Sequence, residues 1–288
     1  MRLQDTKLGI YEKALPADMD WDQKLKAAEN LGFNFVEISV DESDERLGRL
    51  DWRPGERQNF QSIVANSPLT VPSMCFSGHR RFPLGSHDSE IRKKSRDLME
   101  KAIFFAADLG IRTIQLAGYD VYYEQGDSNT KEWFIEGLKE GIQLAARENV
   151  MLSMEIMDTH FMSSIVRFLN YKKILSNPWF TVYPDIGNLT AWGNDVDQEL
   201  TLGMEYITAI HLKDTLAVTP EFPGQFRDIP FGKGCVDFVS LFSTLDKLNY
   251  KGPLLMEMWT ENSADPLKQI NEARLWIIDK MKQGGYCA

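Results

Sequence analysis

The chain has 288 residues, with 32 Lys and Arg against 42 Asp and Glu, for a formal net charge of −10. That length slightly exceeds the roughly 250 residues of a typical (β/α)8 barrel, so a single domain over residues 1–288 is expected. The acidic balance disfavours nucleic-acid backbones, and no apolar run approaches the about 18 residues needed to cross a bilayer.

In chain order, strand-like runs alternate with amphipathic stretches, the pattern of a parallel sheet with crossover helices. Leu8-Gly-Ile-Tyr11 opens a first strand, and residues 21–30 read as the helix after it, with Leu25, Ala28 and the adjoining Leu31 at helical spacing. A second strand over residues 35–40 leads into an acidic, Arg-bearing segment at 41–53, and Pro54 opens a helix reaching Ala65. The third strand is expected at 70–76, followed by the loop 77–86 and a long helix with Ile91, Leu98, Ala102, Phe105 and Ala106 on one face. Gly110 is placed to cap that helix. A fourth strand at 113–117 precedes a helix at 129–147, and a fifth at 150–156 precedes a helix ending near Leu175. The sixth strand is expected at 179–183 with a shorter helix at 195–204, and the seventh at 206–212 with a Pro- and Gly-rich loop at 215–234. A helix at 237–248, an eighth strand at 252–258 and a helix at 266–282 complete eight pairs, a closed (β/α)8 TIM barrel. Its three cysteines, Cys75, Cys235 and Cys287, lack metal-ligand spacing and suit a reducing compartment. The N-terminus, Met1 to Lys7, is polar with no apolar core of a signal segment, so a soluble cytoplasmic protein is expected.

In such barrels the chemistry sits at the carboxyl ends of the strands. Glu155, Asp185, His211 and Glu257 fall near the ends of strands five, six, seven and eight. Three carboxylates and an imidazole converging there suit a divalent cation. A charge between Met154 and Ile156, or between Met256 and Met258, is costly in a dry core unless it is paired or bound to a metal. A single buried Glu or His is more often a satisfied structural group, and it is the convergence of four that favours a site. His160 reads equally as a residue behind the ligands or as a loop histidine. Asn188 reads equally as a partner for a substrate hydroxyl or as a helix cap. His79 and His87 lie outside the ligand set.

Nine segments resemble the L-ribulose-5-phosphate 3-epimerase (L-xylulose-5-phosphate 3-epimerase) family of xylose-isomerase-like TIM barrels. They are Leu8-Gly-Ile-Tyr-Glu-Lys-Ala-Leu-Pro16, Val36-Glu-Ile-Ser-Val-Asp-Glu-Ser-Asp-Glu-Arg46, Pro72-Ser-Met-Cys-Phe-Ser77, His79-Arg-Arg-Phe-Pro-Leu-Gly-Ser86, Ile114-Gln-Leu-Ala-Gly-Tyr-Asp-Val-Tyr-Tyr123, Met154-Glu-Ile-Met-Asp158, Tyr183-Pro-Asp-Ile-Gly-Asn188, His211-Leu-Lys-Asp214 and Glu257-Met-Trp259. The resemblance implies one divalent metal ion, Zn or else Mn, Co or Mg, on Glu155, Asp185, His211 and Glu257. It also implies that Glu155 and Glu257 form the acid/base pair of an isomerase in pentose-phosphate metabolism fed by L-ascorbate or related sugar acids. The tract from Thr215 to Arg227 looks long for that family.

Inverting a stereocentre beside a ketone needs two bases flanking the carbon. A ketopentose phosphate also needs cationic contacts, for which Lys13, Arg80 and Arg81 in the loop with His79 are the nearest candidates, while Lys213 and Lys233 flank the metal half. Tyr11, Trp192 and Trp259 are candidate walls of the sugar pocket. The rivals are an epimerase or aldose–ketose isomerase of another, unphosphorylated sugar, an endonuclease of the same barrel superfamily, and a non-catalytic sugar-binding barrel. The endonuclease is disfavoured by the acidic balance and by the three histidines left once His211 is used. A homodimer is the oligomer left open.

Overall fold

The strands alternate between two environments, and this alternation builds the barrel. In β2, Phe35–Val40, every residue is buried, yet Val36, Ile38 and Val40 join the large apolar core while Glu37 and Ser39 do not. Successive side chains of a strand point to opposite faces, so one set meets the helices and the other fills the barrel interior. The same parity runs through β1 (Leu8–Tyr11), β3 (Ser73–Phe76), β4 (Thr113–Leu116), β5 (Met151–Glu155), β6 (Phe180–Tyr183), β7 (Ile210–Leu212) and β8 (Leu254–Met256). Ile10, Met74, Ile114, Leu152, Val182, Leu212 and Leu254 all belong to the outer core. Tyr11, Phe35, Cys75 and Leu255 form a separate small cluster inside.

The computed structural model describes residues 6–287. Met1 to Asp5, the first part of the polar N-terminus, lie outside them. All eight strands belong to one parallel sheet in the order β6-β5-β4-β3-β2-β1-β8-β7. The ring closes between β6 and β7 through two isolated parallel bridges, Val182 with Ile207 and Asp185 with His211.

Around it run α1 (Trp21–Asn30), α2 (Asp44–Leu47), α3 (Pro54–Ala65), α4 (Ser89–Leu109), α5 (Ser128–Arg147), α6 (Ile165–Ile174), α7 (Ile186–Ala191), α8 (Val196–Gly203), α9 (Phe238–Lys247) and α10 (Pro266–Gln283). Local chemistry sets their ends. Asp20 accepts from Gln23 N at 2.9 Å while Gln23 reaches back to Asp20 N, and Asp127 and Thr130 cap α5 in the same way. Gly110 closes α4 at φ 75°, a left-handed conformation that glycine adopts without a Cβ clash.

Two strands start three or more residues later than the sequence reading, and two short helices are new. β3 starts at Ser73 rather than 70, because Pro72 has no N–H to give the ladder. β7 starts at Ile210 rather than 206, since residues 204–206 form a 3-10 turn. The short helices α2 and α7 were not anticipated; α7 is capped by Asp185, whose Oδ1 accepts from Asn188 N at 2.7 Å.

Candidate metal centre and active site

The four residues picked out at the strand ends meet in space. Glu155 is the last residue of β5, Asp185 the N-cap of α7, His211 the middle of β7, and Glu257 the residue after β8. One ligand atom from each lies within 4.8 Å of all the others, and none of the four is more than 8 % exposed. His211 Nδ1 is 3.0 Å from Glu155 Oε1, 3.6 Å from Glu257 Oε2 and 3.8 Å from Asp185 Oδ2. Carboxylate oxygens and an imidazole nitrogen at such separations suit a divalent cation.

Two of these oxygens, Asp185 Oδ2 and Glu257 Oε2, are buried and accept no well-aligned hydrogen bond. Lys213 Nζ sits beside them, at 2.8 and 3.1 Å, as an ion pair without hydrogen-bond geometry. Buried anionic oxygens aimed at a common point, with only one ammonium between them, match what a cation site requires. The residues therefore fit the metal.

The electrostatics are those of three carboxylates in a dry place. Burial pushes the Asp185 carboxyl up to about 8, Lys213 opposing and Glu257 and Glu155 reinforcing the rise. Glu155 is raised by burial as well. For Glu257 burial is outweighed by Lys213 and His211, which hold it down at about 2. Burial alone would discharge His211, but Glu257, Glu155 and Glu37 keep its imidazole well above the usual histidine range.

A second layer holds these groups, and sequence reading missed most of it. Glu37 Oε1 lies 3.2 Å from His211 Nε2, Tyr183 Oη donates to Glu37 Oε2 at 3.1 Å, and Gln115 Nε2 donates to Glu155 Oε2. All three sit at interior positions of their strands. The signal was available as the alternation of Glu37 and Ser39 with Val36, Ile38 and Val40, which marks Glu37 as facing into the barrel.

The residues proposed to touch substrate divide into two groups. Asn188 lies beside the cluster: its Nδ2 donates to Ile156 O at 2.8 Å, and its Oδ1 is buried without a partner. Tyr11 shares a hydrogen bond of 2.9 Å with Ser39 and meets Trp259 edge to face at 6.3 Å. Trp259, Lys213 and Glu257 line a cavity of about 410 Å³ that runs out to Phe231 and Trp276. Arg80 donates to Tyr119 Oη at 3.2 Å and lies 4.7 Å from the Tyr122 ring, while Tyr119 donates to Asp158 at 2.6 Å.

The other candidates are engaged elsewhere. His79 is buried in the helical shell, its ring against Phe76 and its Nε2 on Ser95 O at 3.3 Å, an arrangement of core packing rather than substrate contact. Arg81 is exposed and pairs with Asp44 at 2.6 Å; Lys13 pairs with Asp41 at 2.7 Å. His160 bonds Arg167 and stands 6.0 Å from Trp192, and His87 pairs with Glu124 and Asp127 at the surface. Trp192 donates from Nε1 to Met157 O and faces Phe226 of the 215–234 loop.

A parallel eight-stranded barrel with an acid- and imidazole-lined cluster at its carboxyl end is a xylose isomerase-like TIM barrel, and the model of that family matches residues 25–280. SgbU of Escherichia coli (strain K12), provisionally named an L-ribulose-5-phosphate 3-epimerase, is 55% identical over 284 residues, 99% of each chain. The L-ribulose-5-phosphate 3-epimerase UlaE of Escherichia coli (strain SE11) is 51% identical over 278 residues, 96% of each chain. Among solved structures, a D-psicose 3-epimerase from Clostridium cellulolyticum H10 with D-tagatose superposes with a TM-score of 0.79 at 16% identity, covering 98% of this chain and 100% of the other. That likeness bears on the fold. The chain belongs to the L-ribulose-5-phosphate 3-epimerase family and is a carbohydrate epimerase, an isomerase.

Proposed function

We propose that this enzyme interconverts L-ribulose 5-phosphate and L-xylulose 5-phosphate by removing and returning the proton at C3, with one divalent metal ion held by Glu155, Asp185, His211 and Glu257. The observation that carries this reading is the convergence of two proton-capable glutamates on one point from β5 and β8, strands separated around the ring by β6 and β7. When bound, the cation supplies Lewis-acid stabilisation of negative charge on the substrate oxygens.

The chain's own groups do the rest. One glutamate takes the C3 proton from one face and the other delivers a proton to the opposite face, the roles exchanging in the reverse direction. Gln115 fixes one oxygen of Glu155, leaving Oε1 turned towards the cluster. Lys213 places a second positive charge beside Glu257 and faces the 410 Å³ cavity. Asn188 presents a partnerless buried oxygen that suits a substrate hydroxyl. Tyr11 and Trp259 wall the pocket, where apolar faces meet the C–H surfaces of a sugar.

In heavy water, metal-loaded protein given L-ribulose 5-phosphate is expected to incorporate deuterium at C3. Glu155→Gln and Glu257→Gln should each slow that exchange by at least about 100-fold, the lower range of what a general acid or base contributes. A variant exchanging at the wild-type rate removes its residue from the role. Lys13 and Arg81 are already paired with carboxylates, and this favours a second reading in which the substrate is an unphosphorylated ketose. Relative rates on free and phosphorylated ketoses separate the two.

A further inference from the structure

The imidazole of His211 is used on both sides. Its Nδ1 faces the carboxylates of Glu155, Asp185 and Glu257, and its Nε2 faces Glu37 Oε1 at 3.2 Å. Glu37 comes from β2, 174 residues away in sequence and across the barrel. It is wholly buried, and the only basic group within ion-pairing distance among the described residues is His211. Both of its oxygens are engaged, one by His211 and the other by Tyr183 Oη at 3.1 Å. The Tyr183 ring in turn lies 4.5 Å from the His211 ring, centroid to centroid.

A carboxylate buried this deeply is costly unless each oxygen accepts a hydrogen bond. A neutral imidazole has one N–H and one lone pair, and the group bonded to one nitrogen decides which carries which. With Glu37 accepting at Nε2, the proton stays there and the lone pair is left on Nδ1, the nitrogen that looks into the cluster. We infer that Glu37, steadied by Tyr183, is the positioning residue that sets the tautomer and ring orientation of His211 for metal binding. This rests on the metal-dependent reading proposed for the site. It adds a residue from the opposite half of the barrel to a centre whose proposed ligands all come from β5 to β8.

Three proteins test it, each stripped of metal and titrated with Mn2+ while free Mn2+ is followed by electron paramagnetic resonance. Wild type is expected to bind one Mn2+. Glu37→Ala removes the acceptor and should weaken binding by about 10- to 100-fold, the usual effect of losing such an outer partner. Glu37→Gln keeps an acceptor oxygen of the same shape and should recover part of that loss, which separates positioning from mere filling of space. Should Glu37→Ala not fold, Glu37→Gln with Tyr183→Phe carries the comparison, each expected to bind more weakly than wild type. A second readout uses the fact that the chain has four histidines: nitrogen-15 spectra of the Zn2+-loaded protein should show the His211 proton on Nε2. Wild-type affinity in the Glu37 variants, or a proton on Nδ1, overturns the inference. A wild-type protein that binds no metal overturns the metal reading itself, a distinguishable result.

Discussion

His79 shows how one buried side chain can set the acid limit of the fold. Its ring is sealed between Phe76 and α4, and burial holds it down at about 4, against 6.5 for a free imidazole, with the Ser95 carbonyl opposing. Below pH 6.5 the unfolded chain takes up a proton that the folded chain refuses until about pH 4. This contribution is therefore complete above pH 6.5, falls as the pH drops towards 4 and is then exhausted; its size is about 3 kcal/mol. Chemical denaturation of His79→Gln across that window should show a slope shallower by one proton than wild type, because the amide can still donate to Ser95 O without titrating. Identical slopes would mean that His79 is hydrated in solution. The sequence placed His79 in a loop among arginines, with nothing local to show that its ring turns outward into the helices. Glu155, Asp185, His211 and Glu257 were legible because each interrupts or ends an apolar strand, where burying a charge is costly unless a cation or counter-charge meets it.

At the level of elements, the segment 215–236 owes its shape to one carboxylate. Asp214 is 1 % exposed and accepts from the backbone N–H groups of Thr215, Gly232, Gly234 and Val236 at 2.9–3.2 Å. The chain can only draw that close because residue 234 is glycine, where a Cβ would run into Asp214 Oδ1 and Thr215 O. The loop's near end is fixed to α7, with Thr215 Oγ1 on Gly187 O and Val218 N on Ala191 O, both 2.8 Å. Its middle folds back through the Leu216–Gln225 and Thr219–Phe222 bridges. This brings Arg227 to 4.3 Å from the Trp259 ring at the mouth of the cavity. Asp214→Ala leaves four amides without their acceptor and should cost about 3 kcal/mol. Hydrogen exchange should accelerate first at Gly232, Gly234 and Val236; amides as protected as in wild type would show that the loop holds itself. In sequence the Pro- and Gly-rich tract was recognisable as a loop, but its anchor was not, since the bonds span about twenty residues and depend on a conformation no local pattern encodes. Helix starts such as Asp20 and Asp127 carry a local signal instead, because a cap acts within three residues.

Across the whole molecule the ring has one weak seam, and the proposed metal ligands straddle it. Neighbouring strands elsewhere pair over at least three consecutive residues, whereas β6 and β7 are joined by two isolated bridges. Their main-chain bonds are Thr208 N to Val182 O at 3.1 Å and His211 N to Pro184 O at 2.9 Å, with Thr208 Oγ1 also shared with Ser153. Asp185 lies on one side of this junction and His211 on the other, while Glu155 and Glu257 stand on the strands just beyond. A cation gripping all four would bridge the gap in the ladder and relieve the mutual repulsion of three buried carboxylates. Binding to the folded state alone stabilises it by about 2.7 kcal/mol at a free metal concentration of 100 Kd. The gain should not be spread evenly. Amide exchange at Thr208 and His211 is expected to slow on adding metal by a larger factor than at Ile10 and Val36, which lie in the continuous β1–β2 ladder and face the outer core. Chelation should reverse the difference. Equal slowing at both places would mean that the ion stabilises the barrel without closing it, and no slowing at either would mean that the four side chains do not hold a metal together.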